Sequence, residues 1–466
     1  MKKILAVLAI VGCSLTTYGQ QNESQTDNAK STVLTFEEAI KIGIKNNVNL
    51  NTQKNQLYAS QARKTGAAAN FLPSLTGQAF AQRSDGLQQD PLTGGAVNAT
   101  SDVVQGSITA NLVIFNGLGR INTLQANSKA FLAQNALVNR SKQDVVFTVA
   151  SQYLQVLLDQ ELLRIAEQDH ELQKITLQQI QGFVDVGSRP QADLYTQDAF
   201  VQNARVTALR AKITLENDRA LLAQTLQLDP TIPFTVAQPA LETDVKNIET
   251  LTIDSLNKIA LNNRQDLKQQ SYLAESNHRS LRAASAGYMP TLNLFVSYGS
   301  QYYADNSWEI LNQPDRKQPS FATQFRELNP TLSYGVTLNI PIFDRLVTRT
   351  NRAVARVAYD NSKLTRDNLE KTIKIDVQRA IKNYQTAIES YEASLVQFEA
   401  GQLALRTQQE SYNLGVSAQV VLAAAQQTYT QAASSKAQAE VTLVFQELLL
   451  QYYLGTLKVE DIYNKD

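Results

Sequence analysis

Two segments with strict alternation constrain this chain more than any other feature. Residues 104–115 and 331–343 each alternate apolar side chains with small or polar ones. A period of two residues is the pattern of a β-strand with two different faces. Each run has about the 9–11 residues that a tilted strand needs to cross a bilayer. Small and polar residues on the second face are typical of a strand that lines a water-filled lumen.

The chain also contains an internal duplication. The segment FLPSL at 71–75 returns as YMPTL at 288–292, and Gly187 in a later turn returns as Gly415. The offset between the copies is 217 residues up to the first strand of each pair and 228 residues after the second. A constant offset on both sides of one loop indicates that a whole structural unit was duplicated.

Long helices are predicted after each pair of strands. Residues 118–184 contain no proline. At 1.5 Å per residue, a helix of about 65 residues is about 100 Å long. Residues 186–190 combine a glycine stop with a proline restart, which predicts a helix that runs back over 191–226. The second copy repeats this plan at 349–413 and 418–454.

The rest of each copy is predicted to be a helix, a strand and a loop. Thr35 is a suitable N-cap for the first helix, because two glutamates follow it in the first turn. Pro73 ends that helix and begins a strand. The predicted elements are helices at 35–70 and 253–287, strands at 74–83 and 291–302, and loops at 84–102 and 304–329.

The N-terminus has the pattern of a secretory signal peptide. Lys2 and Lys3 precede a short apolar core and small residues, and we expect cleavage near Gly19. Cys13, the only cysteine, lies in this segment. Its surroundings also resemble a lipoprotein cleavage site, so lipidation of Cys13 stays open beside its removal with the signal peptide.

Composition and motifs argue against several function classes. The 43 basic and 43 acidic residues leave no positive excess for nucleic acid. His170 and His278 are the only histidines, and neither has a neighbour at metal-ligand spacing. Beyond the N-terminus, no apolar run is long enough for a transmembrane helix. We therefore expect no cofactor, no metal site and no enzymatic activity.

The strand entries FLPSL and YMPTL, the strand exits IFN and IFD and the paired glycine turns together resemble the TolC-type outer-membrane efflux proteins. The resemblance covers residues 35–457 and rests on an ordered set that occurs twice. It implies an α plus membrane β-barrel fold. Three chains would each give four strands to a 12-stranded barrel in the outer membrane and long helical hairpins to a periplasmic tunnel.

The resemblance also implies a function and partners. The homotrimer would be the exit duct of a tripartite efflux or type I secretion system. Outer-membrane lipid would surround the barrel, and the tunnel mouth would dock a periplasmic adaptor protein that is joined to an inner-membrane pump of the RND or ABC type. No nucleic acid is expected as a partner.

In the resemblance, the two glycine turns of this chain correspond to the periplasmic mouth of the tunnel. Asp193 is the candidate gate residue, since it occupies the place in copy one that matches an acidic position of the family. In copy two the matching positions are Val421 and Ala424, so a carboxylate ring there is not expected. The residues matched to the adaptor-contacting tip are Val186, Gly187, Ser188, Arg189, Leu414, Gly415, Val416 and Ser417.

The same plan divides the chain into consecutive segments. These are a signal peptide (1–19), a flexible tail (20–34), the first helix (35–71), barrel hairpin 1 (72–116), helical hairpin 1 (117–228), an equatorial connector (229–252), the second-copy helix (253–288), barrel hairpin 2 (289–343), helical hairpin 2 (344–454) and a C-terminal tail (455–466).

Two alternatives remain at this point. A periplasmic helical scaffold without transport would contain no strands, and the alternation at 104–115 and 331–343 argues against it. Tyr302, Tyr303 and Trp308 follow the third strand and suit either an interfacial aromatic belt or the packing of a loop.

Overall fold

The computed structural model describes residues 32–89, 94–229, 234–237, 252–305 and 319–457. The expected signal peptide, Cys13, Trp308, most of the connector and most of the C-terminal tail lie outside these ranges. In chain order the elements are β1 (Thr32–Leu34), α1 (Phe36–Asn46), α2 (Val48–Ala69), β2 (Ser74–Gln89), β3 (Ala96–Asn116), α3 (Gly119–Asp185), α4 (Gln191–Leu226), β4 (Phe234–Val236), α5 (Ile253–Asn263), α6 (Gln265–Ser285), a 3-10 turn (Ala286–Tyr288), β5 (Thr291–Asp305), α7 (Phe321–Thr323, continued by a π-turn at Gln324–Leu328), β6 (Thr331–Asn339), α8 (Val347–Asn413) and α9 (Gln419–Leu454).

The two copies are visible in the lengths of their helices. The ascending helices α3 and α8 have 67 residues each, and the returning helices α4 and α9 have 36 residues each. Each pair is a long antiparallel hairpin, as the absence of proline and the glycine turns predicted. The predicted combination of helical hairpins, four strands and internal duplication is confirmed.

The first helix of each copy is broken, which corrects the prediction of continuous helices at 35–70 and 253–287. Thr35 forms a capping box with Glu38, as expected for the start of α1. The chain then leaves helical geometry at Asn47, where ψ is 121°, and the Asn47 side chain accepts a hydrogen bond from the Leu50 amide at 2.9 Å. Arg264 makes the corresponding break between α5 and α6, also with ψ of 121°.

The four longer strands form one antiparallel sheet in the order β2-β3-β5-β6. The predicted loop at 84–102 is wrong, because β2 continues to Gln89 and β3 starts at Ala96. In this extension apolar residues such as Leu87 and Ala99 are scattered among polar ones, so no apolar alternation reveals it. The last strand is shorter than predicted and ends at Asn339. Pro341 follows, and its nitrogen has no hydrogen to donate to a strand ladder.

The sheet has one apolar and one polar face, as the alternation predicted. Residues opposite each other in an antiparallel pair point to the same face. One row across the sheet is Leu75, Ala110, Val296 and Tyr334. The neighbouring row, on the other face, is Thr76, Thr109, Ser297 and Ser333, in which the hydroxyls of Thr109 and Ser297 are 2.9 Å apart.

A hydrophobic core lies where the first copy meets the short parallel pair β1–β4. Tyr153 of α3 is fully buried there, and its hydroxyl lies 2.9 Å from the carbonyl oxygen of Leu34 and 2.6 Å from that of Ala237. The ring of Phe36 packs edge-on against Tyr153 at 5.4 Å. This core attaches the N-terminal strand and the connector strand to the middle of the helical hairpin.

None of the helices in the described ranges combines the length and the apolar character that crossing a bilayer requires. Over the same residues, no group of three or more His, Cys, Asp or Glu side chains is placed to hold a metal ion.

Candidate functional site

The two glycine turns that end α3 and α8 share one backbone geometry. Gly187 has φ of 73° and Gly415 has φ of 76°, a region that residues with a Cβ rarely adopt. The amide of Gly187 donates to the Val184 carbonyl and the amide of Ser188 to the Phe183 carbonyl, both at 2.9 Å. This is the Schellman pattern, which satisfies the last carbonyl groups of a helix.

The second turn repeats this pattern, and both turns point apolar side chains outward. The amides of Gly415 and Val416 donate to the carbonyls of Tyr412 and Ser411, each at 3.0 Å. Val186, Leu414 and Val416 are 77–82% exposed, although all three are large and apolar. The eight residues matched to the tip thus lie at the free ends of the two hairpins.

Arg189 of the first turn reaches the second hairpin. Its guanidinium carbon lies 4.9 Å from the centre of the Tyr412 ring, and Nη2 donates to the Ser417 carbonyl at 3.4 Å. Tyr412 is 1% exposed, and this burial raises the pKa of its hydroxyl. Sequence reasoning named Arg189 and Ser417 separately, and the structure brings them together.

A chain of buried glutamines continues this connection between the hairpins. Gln197 of α4 is 1% exposed, and its Nε2 donates to Oε1 of Gln173 in α3 at 2.8 Å. Gln419 of α9 donates from Nε2 to Oε1 of Gln197 at 3.1 Å and to the backbone carbonyl of Asp193 at 3.2 Å. The candidate gate residue Asp193 therefore takes part in this link through its backbone.

Sequence reasoning did not identify these glutamines as members of the site. The available signal was a polar residue on the apolar side of each helix, such as Gln419 three residues before the buried Leu422. We define the hairpin latch as Arg189, Tyr412, Gln197, Gln419 and Gln173. It consists of hydrogen bonds and one cation–π contact, and all of them would break if the second hairpin, α8 and α9, separated from the first, α3 and α4.

A buried carboxyl group with a half-buried carboxyl neighbour lies farther along the first hairpin. Asp159 of α3 is 3% exposed, Gln155 donates to its Oδ1 at 3.1 Å, and the carboxyl of Asp218 in α4 is a neighbour. Burial, together with the neighbouring Asp218 carboxyl, raises the pKa of Asp159 to about 7. Sequence reasoning did not single out this pair, because two acids on different helices carry no local motif.

The profile of the family described as "Outer membrane efflux protein" matches residues 39–226 and 256–456, one match in each copy. No curated protein matches the sequence.

Solved structures with the same fold include three outer-membrane channels. CusC is 17% identical with a TM-score of 0.77, covering 95% of this chain and 100% of its own. CmeC of Campylobacter jejuni is 15% identical with a TM-score of 0.77, covering 96% and 93%. MtrE of Neisseria gonorrhoeae, in its open state, is 18% identical with a TM-score of 0.73, covering 96% and 99%. At these identities the likeness shows the fold.

The profile covers most of both copies, and the shared fold extends over almost the whole chain. Proteins of this family are channels of the outer membrane that extend into the periplasm, and they are not enzymes. The chain belongs to the outer membrane efflux protein family.

Proposed function

We propose that the chain forms a homotrimer that acts as a passive exit duct between the periplasm and the outside of the cell. The supporting observation is the sheet, in which β2 and β6 are the two edge strands. In lipid, each backbone N–H or C=O group without a partner costs several kcal/mol, so an open sheet edge is excluded. Joining β2 of one copy to β6 of the next gives a closed barrel of twelve strands from three copies.

The hairpin tips would dock the periplasmic adaptor protein of a tripartite efflux or type I secretion system. Their exposed Val186, Leu414 and Val416 support this role, because they lie at the end of the hairpins farthest from the strands. The energy for transport would come from an inner-membrane pump of the RND or ABC type, which the adaptor links to the duct. The hairpin latch would hold the mouth closed until the adaptor binds the open state more tightly.

The mass of the protein extracted from the outer-membrane fraction tests the trimer. Light scattering in mild detergent, corrected for bound detergent, should give about three times the chain mass, which is 51.6 kDa before any processing. A soluble periplasmic protein with the mass of one chain would overturn the duct and favour a helical scaffold without transport. A membrane protein with the mass of one chain would overturn the shared barrel.

A further inference from the structure

A short helical segment between β5 and β6 lies flat on the apolar face of the sheet. Ser320 caps α7 by accepting from the Thr323 amide at 3.2 Å. A Cβ atom built on Gly106 would lie 3.1 Å from Cζ of Phe325, so the Phe325 ring covers Gly106. In β3, Gly106 faces the same side as Val104 and Ile108, because side chains alternate along a strand. The segment is therefore folded back along the outside of the strands.

Three aromatic rings form a cluster on that face. The rings of Phe321 and Phe325 are stacked with centroids 5.2 Å apart, and Phe321 meets Tyr302 edge-on, also at 5.2 Å. Tyr302 is paired with Val104, which places it on the same face. Phe321 is 48% exposed, so the cluster presents apolar ring surface away from the protein.

Side-chain amides attach this segment to the barrel wall. Pairing between β5 and β6 ends at Gly299 and Thr331, so the outer part of β5 has no strand on that side among the described residues. Gln324, 7% exposed, accepts from the Tyr303 amide at 3.1 Å and donates to the Tyr303 carbonyl at 3.0 Å. Asn329 donates to the Gln301 carbonyl at 2.7 Å. These side-chain amides satisfy backbone groups of β5 that a neighbouring strand would otherwise pair. Backbone polar groups next to the hydrocarbon of a membrane need such partners.

The apolar face changes to a charged face one row beyond the cluster. Ala81, Val104 and Tyr302 form the last apolar row. In the next row outward, Arg83 and Asp102 are opposite each other and form an ion pair of 2.7 Å.

The position of the last apolar row fits the outer boundary of a bilayer. The apolar residues of β3 run from Val104 back to Leu112, about 26 Å at roughly 3.3 Å per residue. On a strand tilted by about 35–45°, that length spans about 20 Å along the membrane normal, which is most of the apolar band of about 25 Å on a membrane barrel. The Val104 end lies away from the helices, which start after β3, so the cluster lies at the outer rim of the band.

We propose that residues 319–329 are a lipid anchor, in which Phe321 and Phe325 insert at the boundary between the acyl chains and the headgroups of the outer leaflet. Aromatic side chains favour this boundary, because a flat apolar ring next to polar groups suits both environments. This inference depends on the membrane barrel of the proposed function, and it adds a lipid contact made by residues outside the strands. It fixes the depth and the tilt of the barrel in the bilayer.

Tryptophan fluorescence in vesicles tests the anchor. Trp308, the only tryptophan, is first replaced in Trp308→Phe, and Phe321→Trp is then added. The protein is reconstituted in phosphatidylcholine brominated either near the headgroup or deep in the acyl chain. We expect quenching of the Phe321→Trp fluorescence by both lipids, with the larger loss from bromine near the headgroup.

Two control variants separate failure of the anchor from failure of the barrel. Tyr298→Trp lies mid-band on the apolar face and should be quenched more by deep bromine, whereas Phe80→Trp on the polar face should respond only to aqueous iodide. The anchor is overturned if Phe321→Trp behaves like Phe80→Trp while Tyr298→Trp is quenched by lipid. If lipid also fails to quench Tyr298→Trp, the membrane barrel is wrong and the anchor with it.

Discussion

The guanidinium of Arg189 lies 4.9 Å from the centre of the Tyr412 ring, so the turn of the first helical hairpin is attached to the end of the second. A cation–π contact of this kind contributes about 0.5–2 kcal/mol, depending on how far it is shielded from water. Tyr412 is almost fully buried in a cluster with Ile180 of α3 and Leu422 of α9. The two hairpins of one chain therefore end as one connected unit.

Arg189→Ala should raise the open probability of the channel. The substitution removes the ring contact and the hydrogen bond to Ser417, so separating the hairpins costs less free energy. Single-channel conductance in planar bilayers measures this directly. Arg205→Ala removes an exposed arginine from α4 and should leave the open probability unchanged. Equal open probabilities for Arg189→Ala and wild type would contradict the latch.

Replacing both tip glycines by proline should abolish export without abolishing assembly. Proline fixes φ near −65°, whereas Gly187 and Gly415 have φ of 73° and 76°. The backbone of both turns would therefore have to change conformation. The sheet lies at the other end of the helices, so trimer assembly should not be affected. Susceptibility to an exported compound and trimer mass are the two readouts. Gly182→Ala, in α3 with open space around it, is the control and should export normally. Normal export by the double proline variant would show that the tip has no such role.

Stability should fall as pH rises, and Asp159 should be a main cause. The folded protein holds the pKa of Asp159 at about 7, above the value of about 3.9 for an unfolded aspartate. The folded state therefore binds the proton more tightly, and its stabilisation, complete below about pH 4, is lost as pH passes about 7. Urea midpoints at pH 5 and pH 8 measure the difference.

Asp159→Asn should flatten this pH dependence, because the amide cannot ionise beside Asp218. Asp198→Asn, which replaces an exposed acid of α4, should keep the wild-type slope. An unchanged slope in Asp159→Asn would mean that Asp159 does not bind a proton over this pH range in the folded protein.

Gly117→Ala should reduce the amount of folded protein in the outer membrane. Gly117 has φ of 63° at the junction of β3 and α3, and a Cβ there would lie 2.5 Å from Cβ of Met289 and 2.9 Å from the Ala286 carbonyl oxygen. Contacts this short would push the end of β3 away from the 3-10 turn before β5, in the second repeat of the same chain. Immunoblots of outer-membrane fractions give the readout. Gly77→Ala in β2, with nothing within 4 Å, should accumulate normally. Equal amounts of both variants would refute the steric argument.

The parts of the fold that follow from local pattern could be predicted from the sequence. The helix expected from residue 118 to 184 is observed at Gly119–Asp185, because proline is absent and Gly187 stops it. The break at Asn47 was missed. Its local signal is weak: the Asn47 side chain caps α2 by accepting from the Leu50 amide, but asparagine also occurs within helices.

Some residues of the candidate site could likewise be predicted from the sequence, and others could not. Gly187 and Gly415 could be found from sequence, since a glycine between two helices indicates a turn by itself. Gln197 and Gln419 could not, because glutamine is common on solvated helix surfaces, and only the packing of α4 against α3 and α9 makes these two buried. The outer parts of β2 and β3 were missed because residues such as Ser84, Asp85 and Asp102 carry no apolar alternation.

The edge strands β2 and β6 have a genetic consequence. In the proposed trimer, the hydrogen bonds of each edge are completed by a neighbouring copy, so no chain closes its barrel alone. A defective copy that still pairs through one edge would occupy a place in the ring and leave its two normal neighbours without a closed pore. Mutations in the sheet that spare one edge should therefore be dominant over the normal allele, whereas mutations that prevent the chain from reaching the membrane should be recessive.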